Sequence, residues 1–230
     1  MELRTDKIRA CFDRKIGNFT ELWNLSTNTN YVRCAPRDPL IELYGLKNGE
    51  RVKLSGHISD VAEAPDALIL SYDSFGEYDI SAKVTCRCEQ DRLVFSAEIC
   101  NHSTIDVTEI LMPHLGGIYL IYPHHAGDKT EDPVYNYAEN RMTFWRGCSV
   151  PFEDIYRREI NYCGLASMSW MYYYNSCGGF YIGSHDPRFP VTGVIAETSG
   201  DRENPWMAFA FRKYFRIKQG ETYQTGDYVV

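Results

Sequence analysis

The sequence predicts an all-β fold, an antiparallel two-sheet sandwich with very little helix. Three observations carry that prediction. Apolar residues alternate with a period of two wherever a pattern can be read, turn residues recur at short intervals, and aromatic residues make up 14% of the chain, 17 of them tyrosine. A period of two places successive side chains on opposite faces of a strand, and aromatic residues suit a pleated, half-buried surface.

The elements follow in chain order. In "DKIRACFD", Ile8, Ala10 and Phe12 alternate with Lys7, Arg9 and Asp13, giving a strand with one buried face. "PLIELYGL" and "ALILSYDS" read as further strands. "KVTCRCEQDRLVFSAEIC" is the clearest hairpin: Val84, Cys86 and Cys88 share a face, "EQDR" turns, and Leu93, Phe95, Ala97 and Ile99 continue the buried face. "PFEDIYRREI" spaces Phe152, Ile155, Tyr156 and Glu159 almost helically and reads as a short helix or a loop. After "GFYIGS" and "TGVIAET", the segment "MAFAFRKYFRI" puts Met207, Phe209, Phe211, Phe215 and Ile217 on one side. The stretches "KIGN", "KNGE", "DSFGE", "SGDRENP" and "KQGE" supply the turns. No repeat or linker interrupts the pattern, so residues 1–230 form one domain. The chain stops on a strand at Val229–Val230; the expectation is the N-terminal part of a longer chain, with a terminal strand docked in a sheet as the alternative.

Several classes of function are disfavoured. A net charge of −7 without a basic cluster opposes nucleic-acid binding, which depends on Lys and Arg neutralising phosphates. No run approaches the ~20 apolar residues that span a bilayer. The start, "MELRTDKIRACFDRK", carries no secretory pattern, and the expected location is cytoplasmic. The eight cysteines contain no C-x-x-C, so they read as reduced, structural thiols, with no metal or other cofactor implied.

The stretch "WMYYYNSCGGFYIGSHDP" sets an aromatic platform against an aromatic core. Met168, Trp170, Tyr172 and Tyr174 share one face, and Ser167, Ser169, Met171 and Tyr173 the other. Large groups on both faces predict a central strand covered on both sides, with "SCGGF" as the hairpin turn and its glycines at positive φ. Core packing is the favoured reading, and Trp170 is the member placed to stack on a sugar ring. The better ligand loop is "YPHHAGDKTEDP", which holds His124 and His125 between Pro and Gly with Asp128 close behind. Adjacent histidines on an extended chain point apart, which disfavours a shared metal ion. His185–Asp186, ahead of Pro187, has the composition of a catalytic dyad but reads better as an Asx-type turn. His114, in "MPHLGG", reads as a strand end. The candidate ligand-binding set is therefore His124, His125, Asp128, Trp145, Trp170, His185 and Asp186, with no catalytic residue assigned.

Read together, "CFDRKIGNFTELWNLSTNTNYV" with its "R-x-x-G-x-[FL]" turn, "LVFSAEICNHSTIDVTEILMPHLGG", "YPHHAG", "GLASMSWMYYYNSCGGFYIGSHDP" and "IKQGETYQTGDYVV" resemble the galactose-mutarotase-like β-supersandwich domains, in order and over nearly the whole chain. The version it resembles is the N-terminal sandwich of large bacterial glycoside-hydrolase-related proteins, in which a catalytic barrel follows. It implies a carbohydrate context: a non-catalytic module that packs on a C-terminal catalytic domain and binds carbohydrate weakly. The alternatives are an aldose 1-epimerase-like enzyme using a histidine acid and a carboxylate base, or a purely structural interaction domain. The epimerase's "N-x-T-x-H" strand end has "CNHSTIDV" as its nearest counterpart, with His102 directly after Asn101, a departure that weighs against the enzyme.

The cysteine reading predicts that the denatured, unreduced protein titrates eight free thiols and carries no stoichiometric zinc. Thiol titration and elemental analysis check both.

Overall fold

The computed structural model describes residues 1–32, 38–118, 141–145, 148–151, 157–162, 169–175, 178–198 and 206–230. Among them the chain forms twenty strands and no helix. A four-stranded N-terminal sheet runs β1 (Glu2–Arg4), β2 (Ile8–Phe12), β3 (Phe19–Asn24), β4 (Thr29–Asn30). A six-stranded sheet has the order β14 (Arg157–Tyr162), β17 (Thr192–Thr198), β18 (Met207–Ile217), β11 (Asp106–Ile118), β5 (Glu42–Lys47), β6 (Glu50–Leu54). The ten-stranded sheet runs β13 (Cys148–Pro151), β12 (Arg141–Trp145), β15 (Trp170–Asn175), β16 (Gly178–His185), β20 (Asp227–Val229), β10 (Arg92–Asn101), β9 (Ile80–Glu89), β8 (Ala67–Tyr72), β7 (Asp60–Glu63), and β19 (Thr222–Gln224) also pairs with β10. All pairings are antiparallel, as the alternation predicts.

The β9–β10 hairpin follows the sequence pattern residue for residue. Cys88 faces Leu93, Cys86 faces Phe95 and Val84 faces Ala97, all on the core side. The two large sheets close over this core through Tyr173 on Phe209 and Phe211 on Tyr228, with ring centroids 5.7 Å apart in each pair. Phe19 of the N-terminal sheet adds an edge contact to Phe95 at 6.0 Å. Aromatic pairs at such distances contribute beyond the area they bury.

The "RKIGNF" turn shows why its residues are needed. Gly17 sits at φ 71°, and a Cβ there would meet Leu70 Cδ1 at 2.6 Å. The turn aims the buried Asn18 inward, where its Nδ2 donates to the carbonyls of Asp38 (2.9 Å) and His114 (2.7 Å). One amide thereby fixes the N-terminal sheet to β11 and satisfies backbone acceptors that would otherwise be stranded.

Three expectations are corrected. "RREI" is not helical: Arg157–Tyr162 is strand β14, paired in full register with β17, while Phe152, Ile155 and Tyr156 lie outside the described residues. His114 lies inside β11 rather than at a strand end. Gly178 and Gly179 belong to β16, opposite Asn175 and Tyr174, rather than to the turn.

One apolar register contains a charge. Lys213 shares the parity of Phe209, Phe211 and Phe215 on β18 and is 0% exposed. Its Nζ lies 2.8 Å from Asp186 Oδ2 and 4.5 Å from the centre of the Tyr228 ring. Removing one member of a buried pair leaves the other charge uncompensated. Asp186→Asn should therefore destabilise the fold by about 3–5 kcal/mol. Lys213→Met should cost less, because Arg188 still neutralises Asp186. Urea midpoints of the two variants decide, and the opposite ranking would refute this account.

Candidate functional site

Strand β15 has one buried face and one partly open face. Met171 and Tyr173 point into the core and are fully buried. On the other face, Tyr172 is 37% exposed, and Trp170 and Tyr174 are half-buried. The expectation of cover on both sides is thus corrected: one face of this interior strand is partly open. The rings there are ordered. Tyr172 stacks on Tyr174 with centroids 5.1 Å apart and planes 14° from parallel, and Trp170 lies 5.9 Å from Tyr181.

Tyr181 reaches this face because β16 sets it directly opposite Tyr172. Its ring leans over Gly183, where a Cβ would meet the Tyr181 hydroxyl at 2.1 Å, so the glycine permits the close approach. The hydroxyl shares a 2.8 Å hydrogen bond with His185 Nε2, and burial pushes the Tyr181 phenol pKa up. Tyr181 and His185 stand between two clefts. The smaller, about 300 Å³, is walled by Trp170, Tyr162 and the loop carrying Pro187, Phe189 and Pro190. The larger, about 420 Å³, brings Trp23 and Tyr31 of the N-terminal segment together with Asp91 and Arg92.

His185 and Asp186 are neighbours in sequence but serve different surroundings. His185 is exposed, whereas the Asp186 carboxylate is buried. Asp186 Oδ1 accepts from the backbone N–H of Arg188 (3.1 Å), the Asx turn read from the sequence, and from Arg188 Nε (3.0 Å). Its Oδ2 accepts from Lys213 Nζ, Arg188 Nη2 and the Gly226 N–H. Burial raises the carboxyl pKa, but the hydrogen bonds from Arg188 and Lys213 outweigh it and hold the group well below the usual carboxylate range. No acceptor is left for a dyad with His185. Trp170 is the other candidate placed here, and Trp145 ends β12, the strand beside β15. His124, His125 and Asp128 lie outside the described residues.

The sequence reading missed a second cluster. Asp38, Glu42 and His114 offer ligand-type atoms within 4.8 Å of one another. Glu42 Oε1 lies 3.7 Å from the imidazole Nδ1 and Asp38 Oδ2 4.0 Å from Nε2. Lys53 Nζ already lies 2.9 Å from Glu42 Oε1, and the Tyr44 hydroxyl donates to Oε2 at 2.8 Å. Glu42 is therefore balanced by the protein's own cation. The available signal was a Glu and a His at positions enclosed by apolar residues, in "LIELYGL" and "MPHLGG".

No protein-family model matches the sequence, and no curated protein does. Solved structures do match. A galactose mutarotase related enzyme from Lactobacillus acidophilus superposes with a TM-score of 0.64 at 7% identity, over 100% of this chain and 96% of that one. A galactose mutarotase-like protein from Lactobacillus casei gives 0.65 at 11%, over 100% and 98%. The fold is galactose-mutarotase-like. A GH36 alpha-galactosidase from Geobacillus stearothermophilus matches at 0.62 and 10% identity, over 100% of this chain and 40% of that one. The galactose-mutarotase-like fold therefore spans whole proteins in two of these matches and a minor part of a larger enzyme in the third. No helix among the described residues is long and apolar enough to cross a membrane.

The Glu42 cluster yields a pH prediction. Burial raises the Glu42 pKa, but neighbouring His114, Lys53 and Tyr44 bring it from 4.5 down to about 2. A depressed folded pKa contributes stability that is present above 4.5 and lost as the pH falls toward 2. The stability advantage of the native protein over Glu42→Gln should therefore shrink by about 3 kcal/mol across that window. Urea midpoints at pH 5, 4, 3 and 2 measure it, and a gap independent of pH would contradict the assignment.

Proposed function

We propose that the chain is a non-catalytic, carbohydrate-associated β-sandwich module of a glycoside-hydrolase-like protein, packing on a catalytic barrel and contacting sugar through the open face of β15 and β16. The observation that carries this reading is the ordered aromatic stripe of Trp170, Tyr172, Tyr174 and Tyr181, held by strand register beside two clefts. Pyranose rings present C–H faces that stack on such aromatic surfaces, with hydroxyls at the rim to meet polar groups. The match to a GH36 alpha-galactosidase over 40% of that chain supports a place beside a catalytic domain.

The buried carboxylate at the smaller cleft, Asp186, is consumed by Lys213 and Arg188, whereas Asp91 at the larger cleft is half exposed beside Arg92. A general base needs a lone pair within reach of substrate and a pKa near the working pH. A carboxylate held by two cations meets neither need.

An aldose 1-epimerase is the second reading. It is favoured by one observation, the near end-to-end match to mutarotase-related proteins. His114 beside Glu42 has the residue types of an acid–base pair, but their side chains are 7% and 4% exposed, which leaves no room for a sugar between them.

Polarimetry separates the readings. The module should leave the mutarotation of glucose and galactose at the buffer rate, and should bind these sugars only in the millimolar range typical of few contacts. Trp170→Ala, at the half-buried ring that lines the smaller cleft, should weaken that binding while circular dichroism stays unchanged. Fast enzyme-dependent mutarotation, lost in His114→Ala, would replace the module reading with the epimerase.

A further inference from the structure

The paired clefts, taken with the carbohydrate reading on which this step rests, carry information about ligand length. Tyr181 and His185 line both clefts, so the two spaces meet at one hydrogen-bonded pair rather than lying on separate surfaces. Each cleft has its own aromatic wall, Trp170 in the smaller and Trp23 in the larger. In the larger cleft, Arg92 beside Asp91 presents donors and acceptors side by side, the pattern that vicinal sugar hydroxyls require.

We infer that the site has two adjoining sugar subsites and that its ligand is an uncharged oligosaccharide of at least two units, whose glycosidic link crosses Tyr181 and His185. One ring lies against Trp170. The next lies against Trp23, with its hydroxyls toward Arg92 and Asp91. The loop wall is preformed for this task. Phe189 is 65% exposed and held at φ 51°, between Pro187 and Pro190, by the Arg188–Asp186 fork. A non-glycine residue kept in that region by rigid surroundings is the kind of strain found at ligand clamps.

Two sites filled by one molecule gain affinity over either alone, because the second contact is intramolecular. Titration calorimetry with the full chain tests this using two series, glucose, maltose and maltotriose, and galactose, melibiose and raffinose. In the series that binds, the disaccharide should bind about tenfold more tightly than its monosaccharide. Arg92→Ala, at an exposed surface residue, and Trp170→Ala should each return the disaccharide to about the monosaccharide affinity. His185→Ala should reduce the disaccharide gain while circular dichroism stays unchanged. Equal affinities for monosaccharide and disaccharide would overturn the two-subsite inference and leave the carbohydrate reading standing. Absence of binding across both series at 50 mM sugar would overturn both.

Discussion

The fold turns on one desolvated charge pair. Lys213 is 0% exposed, and burial alone drives its pKa down, so the ammonium persists only because Asp186 faces it at 2.8 Å. The pair joins β18 of the six-stranded sheet to the end of β16 in the ten-stranded sheet. The same carboxylate also takes the Gly226 N–H ahead of β20. Arg188, held by Asp186, donates in turn to the Gln224 carbonyl at 2.6 Å and lies 4.9 Å from the centre of the Tyr223 ring. Both sheets, the C-terminal strands and the Phe189 wall of the smaller cleft therefore depend on a single side chain. A carboxylate so placed is worth more as a structural anchor than as a reagent, and its adjacency to His185 in sequence misleads for that reason.

What the sequence could reveal divides along the same line. The β9–β10 hairpin was legible because Val84, Cys86, Cys88, Leu93, Phe95, Ala97 and Ile99 obey one local rule, alternation, and all are buried. Lys213 obeyed the alternation too, in the parity of Met207, Phe209 and Phe211, and there the rule itself was the signal. A lysine in an apolar register must have a buried counter-ion, although alternation does not say which carboxylate supplies it. The partner comes from a loop 27 residues away. Arg157–Tyr162 was illegible for the converse reason: its spacing is locally ambiguous, and only the remote strand β17 settles it.

The aromatic stripe shows the same division within one strand. "WMYYYN" carries bulk at every position, so composition leaves the two faces alike. The difference lies in what the rest of the chain places over each of them. The six-stranded sheet seals Met171 and Tyr173 through Phe209, while the Tyr172 face keeps access to solvent. A candidate site on this protein is thus defined by missing cover, a property of the assembled sheets, and no local motif encodes it. Asn18 is an intermediate case. Its turn was visible as "R-x-x-G-x-[FL]", but the two carbonyls it serves, at Asp38 and His114, lie 20 and 96 residues away.

This accounts for the survival of the fold at 7–11% identity to the structures it matches. Alternation, turn chemistry and a packed inter-sheet core tolerate wholesale exchange of apolar residues provided pattern and volume persist. Chemistry does not tolerate it, because acid–base work needs particular groups left unpaired and within reach of substrate. Recognition by stacking stands between these limits. It needs flat rings held in register on an open face, and strand pairing supplies that register whatever the neighbouring residues are. A scaffold of this kind can therefore keep flat rings in register on an open face more readily than a catalytic dyad. In this chain the Tyr172 face is partly open, while the Asp186 carboxylate is buried against Lys213.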